Sequence, residues 1–296
     1  MYNIFIQFFN CDIFSNGGNP DISMSEYYLA MNLDMFFYQL DKLFESNDLE
    51  LAEEFMSEAI SMCKERGDIA GEIAICNELA GFYRAVGRFD EAFEIYEQAL
   101  TAIESINSRG SEGHGSTLIN MATTYTMIGD FDKALNLYEE ASKIFSADDY
   151  AADERLATMY NNMSFIYQEK GDYEKAEEIL NSALYILNAA EESEIEKAIT
   201  YTNLSHLYIA MEKIPEAKVA VKRSLDLFIE NGGLSNPNYS AAVGVLGQIY
   251  YIEEKYDKAS ALFKQAMTLT ERDFGTESEN YQIMKDNFER CEEKLA

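Results

Sequence analysis

The 296-residue chain holds only 3 prolines and 16 glycines. An all-β domain of this length needs far more turn-forming residues, so the shortage points to helices. Basic residues are scarce as well, 23 against 53 acidic ones, for a net charge of −30. Such a surface repels phosphates and anionic lipids, so nucleic acid and membrane are both excluded as expected partners. A neutral to basic protein or peptide is the partner class that remains. Acidic low-complexity disorder is not expected, because 47 % of the residues are apolar and spread evenly.

Metal-binding residues are also few. The two histidines, His114 and His206, stand far apart, and none of Cys11, Cys63, Cys76 and Cys291 forms a Cys-x-x-Cys pair. A zinc site has no support, and no metal or cofactor is expected. Three of the cysteines fall in helical patterns beside Met, Leu or Ile, as free core thiols in a reducing compartment do. There is no EF-hand loop, P-loop, dinucleotide fingerprint, nucleophile elbow or His-Glu-x-x-His. The chain is therefore read as non-catalytic. The acidic run Glu191, Glu192, Glu194, Glu196 reads as a solvated charge cluster, not as a catalytic pair.

No apolar run is long enough to cross a bilayer. The apolar start, Met1 to Phe9, is short, lacks a basic flank and soon meets Asp12, unlike a signal peptide. A cytoplasmic location is the expectation. Residues 1–23 do not share the pattern that follows. They read as a poorly ordered leader, or as sequence upstream of a start at Met24.

What the chain has in abundance is repetition. Leu79, Ala80, Tyr83, Gly87, Phe89, Ala92, Tyr96 and Ala99 recur 42 residues on as Met121, Ala122, Tyr125, Gly129, Phe131, Ala134, Tyr138 and Ala141. Further copies follow at spacings of 41–42: Met163 to Ala183, Leu204 to Ser224, and Leu246 to Ala266. A degenerate copy with Leu40, Leu43, Asn47, Ala52, Met56 and Ala59 precedes them. Within each copy the Leu/Met and the Tyr form one stripe on a first helix, and the small residue between them admits a second helix closely. Gly87, Gly129 and Gly171 stand where the first helix must stop in a left-handed residue. Asn47 takes that place in the first copy, and Glu212 and Glu254, a less comfortable choice, in the last two. The second helix begins next, with an alanine as its close-packing point. Residues 277–295 carry Tyr281, Met284, Phe288, Cys291 and Leu295 at helical spacing, which suits a terminal cap. The segment 107–116, rich in Gly and Ser, is expected to be a flexible inter-repeat loop.

This pattern resembles the tetratricopeptide repeat family over about residues 33–273, in its kinesin-light-chain-like form. The repeat is longer than the about 34 residues of the common form. The runs Tyr160 to Ser164 and Phe274 to Ser278 are similar to that subfamily's repeat starts and inter-repeat loops. The resemblance implies an all-α, right-handed superhelical solenoid of about six helix pairs with a C-terminal capping helix. Its repeats are placed near 33–66, 73–106, 115–148, 157–190, 198–231 and 240–273 within a solenoid at 24–275, the cap occupying 276–296. It also implies that first helices line a concave surface on which asparagines grip an extended peptide. The positions that match are Asn120, Asn162 and Asn203, each directly before the Leu/Met of its copy. An amide offers donors and an acceptor on one rigid group, and so suits a peptide backbone. The same asparagines also suit a structural role, bonding to the neighbouring repeat and fixing the stacking. Asn77 and Asn161 stand one position earlier; Thr123, Phe165 and His206 share the face; Arg84 is its main cation. Shallow apolar pockets are expected near Phe165 and Tyr251. With so few cations the face does not suit a carboxylate clamp. The function expected is a scaffold or adaptor that binds a protein or peptide. The alternatives are a peptide-responsive bacterial regulatory sensor and a self-assembling repeat protein. The oligomeric state is left open.

Overall fold

The computed structural model describes residues 33–46, 48–146, 154–190 and 193–296. The sequence readings that concern residues 1–23, Cys11, Asn47, Glu191 and Glu192 lie outside these. The described residues form thirteen α-helices and no strand. They divide into two compact units, 1–144 and 145–296.

The first unit holds three helix pairs: α1 (Leu33–Glu45) with α2 (Leu49–Arg66), α3 (Ile69–Ala85) with α4 (Phe89–Ser105), and α5 (Glu112–Met127) with α6 (Phe131–Phe145). The second unit holds three more: α7 (Glu154–Glu169) with α8 (Tyr173–Ala189), α9 (Glu194–Ala210) with α10 (Ile214–Glu230), and α11 (Asn238–Ile252) with α12 (Tyr256–Phe274). A last helix, α13 (Glu279–Leu295), follows them.

Caps and turns explain where these helices begin and end. Asp68 accepts a hydrogen bond from the Gly71 amide (3.0 Å), and Asp172 one from the Lys175 amide (3.1 Å). At the end of α3 the Arg88 amide donates to the Tyr83 carbonyl (2.8 Å) and the Gly87 amide to the Arg84 carbonyl (3.2 Å). This is the Schellman closure, which needs a left-handed residue at Gly87, where φ is 78°. The same two bonds close α9 and α11, but there Glu212 (φ 59°) and Glu254 (φ 61°) take the left-handed place.

The second helices carry the deepest packing. Ala52, Ala92, Ala134, Ala176, Ala217 and Ala259 expose no surface at all. The residues four positions on are buried with them: Met56, Tyr96, Tyr138, Leu180, Val221 and Phe263. Five of the six first helices present a small residue at the facing point: Ala80, Ala122, Ser164, Ser205 and Gly247. At Ser205 the hydroxyl donates to the Ala217 carbonyl (2.8 Å), and a Cβ on Gly247 would come within 3.1 Å of the Phe263 ring. The degenerate first copy packs as fully as the others. Phe36 and Phe55 stack at 4.6 Å beside buried Leu40, Leu43 and Met56.

The terminal helix α13 covers the last pair. Met284 and Phe288 pack on Ala259, Phe263 and buried Cys291. Gly244 of α11 admits Met284, whose methyl would lie 2.6 Å from an added Cβ. The apolar stripe stops at Cys291, because Leu295 is 51 % exposed. The described cysteines are free and buried. Burial pushes the Cys63 thiol up to about 11 and Cys76 up to about 12, so both are unreactive at neutral pH.

The expected loop at 107–116 is shorter than its composition suggests. Ser111 accepts a bond from the His114 amide (3.2 Å) and starts α5 at Glu112, so Gly113 and Gly115 are helical. A hydroxyl at the N-cap outweighs the weak helix propensity of two glycines.

Glu212 and Glu254 are exposed and pay a steric cost at positive φ. Replacing either with glycine should raise unfolding stability by about 0.5–1 kcal/mol in urea denaturation, with helix content unchanged. A loss of stability in both variants would refute this account of the turns.

Candidate peptide-binding face

The asparagines sit on first helices, but they bond in pairs whose registers are offset by one. In the first unit, Asn120 Nδ2 of α5 donates to Asn77 Oδ1 of α3 (3.3 Å). Asn77 Nδ2 in turn donates to Thr117 Oγ1 of α5 (2.9 Å) and to the Ile73 carbonyl (3.0 Å). Thr117 completes the chain by donating to the Gly113 carbonyl (2.9 Å). The second unit repeats the arrangement. Asn203 Nδ2 of α9 donates to Asn161 Oδ1 of α7 (2.8 Å), and Asn161 Nδ2 to Thr200 Oγ1 (2.9 Å) and the Ala157 carbonyl (3.1 Å). Thr200 donates to the Glu196 carbonyl (2.9 Å).

Each clasp therefore ties the first helix of one repeat to that of the next. Asn77 and Asn161 use both amide protons and the oxygen. Asn120 and Asn203 are only half used: each gives one proton to the clasp, and among the described residues their amide oxygens accept nothing. Asn162, half-buried on α7, joins no clasp, since Asn203 bonds its neighbour Asn161 instead.

The other expected residues divide as sharply. Thr123 turns its hydroxyl to buried Tyr138 of α6 (2.9 Å) and to the Ile119 carbonyl, and so joins two helices of one pair. Phe165 of α7 is 48 % exposed and presents a ring. His206 of α9 is open to solvent, yet surrounding protein desolvates it and lowers its pKa. Tyr251 is half-buried. It packs beside Phe263, with the Arg290 guanidinium of α13 5.1 Å from its ring centre.

Arg84 of α3 is half-buried and reaches the Tyr96 hydroxyl (3.5 Å) and the Asn120 carbonyl (3.4 Å). Burial raises the pKa of nearby Glu78, Asp41 adds to the rise, and Arg84 opposes it. Arg84 thus has two carboxylates in its surroundings, Glu78 and Asp41.

A second kind of inter-repeat bridge escaped the sequence reading. Tyr83 donates to Glu53 of α2 (2.9 Å), Arg88 pairs with the same carboxylate (2.5 Å), and its guanidinium lies 4.3 Å from the Tyr83 ring. In the second unit Tyr208 donates to Glu177 (2.9 Å) and Lys213 to its other oxygen (3.3 Å). Glu53 and Glu177 each directly follow the buried alanine of their repeat. That shared position was the available signal.

The tetratricopeptide repeat profile matches residues 72–147, 155–230 and 196–272. The chain belongs to the tetratricopeptide repeat family. Its solved likenesses include kinesin-light-chain-like repeat proteins. It is similar to BtubC (BKLC) from P. vanneervenii, with a TM-score of 0.65 and 22 % identity, over 77 % of this chain and 92 % of that one. It is also similar to a Podosopora anserina protein assigned as a kinesin light chain with nearly identical repeats. There the TM-score is 0.53 at 18 % identity, over 67 % and 95 % of the two chains. A third likeness is the apo quorum sensor NprR from B. thuringiensis, with a TM-score of 0.60 at 15 % identity, over 87 % and 68 %. At these identities the likeness is one of fold. No curated protein matches the chain in sequence.

Asn203→Ala should cost about 1–2 kcal/mol of stability, because it leaves the Asn161 oxygen unpaired in a half-buried place. Asn162→Ala should stay within about 0.5 kcal/mol of the parent. Equal losses in denaturant titrations would remove the distinction between clasp and bystander.

The Glu53 bridge has a pH signature. Bonding to Arg88 holds the Glu53 carboxyl below its ordinary value of 4.5 in the folded state. A depressed folded pKa contributes stability above the unfolded value, and this is lost as pH falls through the folded one. Glu53→Gln should therefore be less stable by about 1 kcal/mol at pH 7, after discounting for its partial exposure. The gap should close below about pH 4; a gap constant from pH 7 to 3 would contradict the assignment.

Proposed function

We propose that the chain is a non-catalytic protein-interaction module that holds an extended peptide segment against its first-helix faces. One observation carries this reading. Asn120 and Asn203 are fixed in orientation by their clasps, yet each keeps an amide oxygen and one proton unused on an exposed face. An amide held this way meets a peptide N–H and C=O with little ordering left to lose. Phe165 and His206 add an aromatic surface and a desolvated polar group to that face in the second unit. The excess of carboxylates around Arg84, and the net charge of −30, favour a neutral to basic segment.

Among the described residues no group of His, Cys, Asp and Glu is placed to hold a metal, and the described thiols are buried. No helix of the described residues is long and apolar enough to cross a membrane. A cytoplasmic scaffold is the corresponding cellular reading. A sensor role has only the fold likeness to a quorum sensor behind it.

The test is a library of extended octapeptides presented to the parent chain and to Phe165→Ala/His206→Ala. Both residues are exposed, so folding should be unaffected. The expected outcome is a selected set, enriched in neutral and basic sequences, whose affinity falls about tenfold or more in the double variant. Selection of peptides that bind both proteins equally would place the binding surface elsewhere.

A further inference from the structure

In the first unit a slot of about 280 Å³ opens between the second helices α4 and α6, over α5. Its floor and walls are apolar: Ile103, Leu118 and Met121 are buried, and Leu100 and Leu137 flank them. Its polar groups are Glu97 and Glu104 from α4, Glu140 from α6, Arg109 from the connecting loop, and His114 from the first turn of α5. Arg109 pairs with Glu104, which leaves Glu97 and Glu140 as the carboxylates not held by a cation. Neither forms an ion pair among the described residues.

His114 is 8 % exposed, and its ring lines this slot. Its Nδ1 accepts from the Gly110 amide (3.0 Å), so the proton sits on Nε2 in the neutral ring. Among the described residues Nε2 donates to nothing. Nε2 is not shut off from solvent, so at the slot it is an open donor that a ligand carbonyl can take over from water. The slot thus asks for three things at once: an apolar stem, a cation for Glu97 and Glu140, and an acceptor for His114. The residues at the slot are no metal cluster. The comparable cleft of the second unit, lined by Leu184, Tyr201, Tyr208 and Val219, carries one carboxylate, Glu216, and no histidine, and its Tyr208 hydroxyl is already bonded to Glu177.

We infer that this slot is a second binding site, separate from the first-helix face, and that it takes an arginine residue of a partner chain. The stem lies along Leu100 and Leu137, as long cationic side chains lie on apolar surface. The guanidinium meets Glu97 and Glu140. The residue's own carbonyl accepts from His114 Nε2. The volume falls just below the roughly 300 Å³ at which small-molecule pockets begin, which suits one side chain. Helical spacing places His114, Leu118 and Met121 about a quarter turn around α5 from Thr117 and Asn120, so the clasp and the slot do not compete.

The test reads the two histidines by NMR at about pH 7.5, where both rings are neutral. His206→Gln assigns the two C2–H resonances. Nα-acetylarginine methylamide should move the His114 resonance saturably, with a Kd on the order of 1 mM. Nα-acetylnorleucine methylamide should bind about tenfold more weakly. Glu97→Gln/Glu140→Gln should weaken the arginine probe about fivefold or more while leaving the melting temperature unchanged, since both carboxylates are exposed. Three results overturn the proposal: no saturable shift at His114, equal binding of the norleucine probe, or preferential binding of Nα-acetylglutamate methylamide.

Discussion

The distance between the two helices of a pair is set by alanines that expose no surface, Ala52 to Ala259. Nearly everything else in each unit depends on that spacing. A single helix pair buries one side and leaves the other apolar, so it gains stability only when a neighbour covers it. At the alanine contact the backbones come close enough for Ser205 to bond a facing carbonyl and for Gly247 to fit under Phe263. A larger side chain there would push the second helix outward, with the Tyr and Phe stripe that follows it.

Apolar contact alone leaves the register of neighbouring repeats weakly specified, since one Leu or Ala stripe fits another at several offsets. The polar bridges supply the missing direction. Asn77, Thr117 and Asn120 form a chain in which each donor has one acceptor, and Asn161, Thr200 and Asn203 reproduce it. A slip by one residue would leave several buried or half-buried groups unpaired, at a cost of about 1–3 kcal/mol each. Glu53 with Tyr83 and Arg88, and Glu177 with Tyr208 and Lys213, add a second fixed point at the turn end of the first helix. Two such points on one helix define its rotation as well as its position.

The repeat was legible in the sequence because its determinants recur at fixed spacing: the alanine, the tyrosine, and the glycine at positive φ. Even the substitution of Glu212 and Glu254 for that glycine could be read as a strained place. The clasp was not legible, because it joins residues from two registers. Asn120, Asn162 and Asn203 align by position, whereas the bonds run from Asn120 to Asn77 and from Asn203 to Asn161. Alignment by register groups equivalent residues, and a bond between successive repeats need not connect equivalents. Thr123 shows the same limit, since only the structure turns it from the presumed face to Tyr138.

The clasp also separates the asparagines by what each has left to offer, in a way that position alone does not. Asn77 and Asn161 have spent both protons and the oxygen, so a ligand can gain nothing from them without breaking a bond between repeats. Asn120 and Asn203 have spent one proton each, and that bond fixes their χ angles before any ligand arrives. An unfixed asparagine gives up side-chain rotamer entropy when it binds; these two have already given it up on folding. On the proposed reading, structural and recognition roles are successive uses of one side chain, and the first lowers the free-energy cost of the second. By the same reasoning Asn162, which no clasp restrains, would be the weakest of the three family-matched positions on the proposed peptide-binding reading.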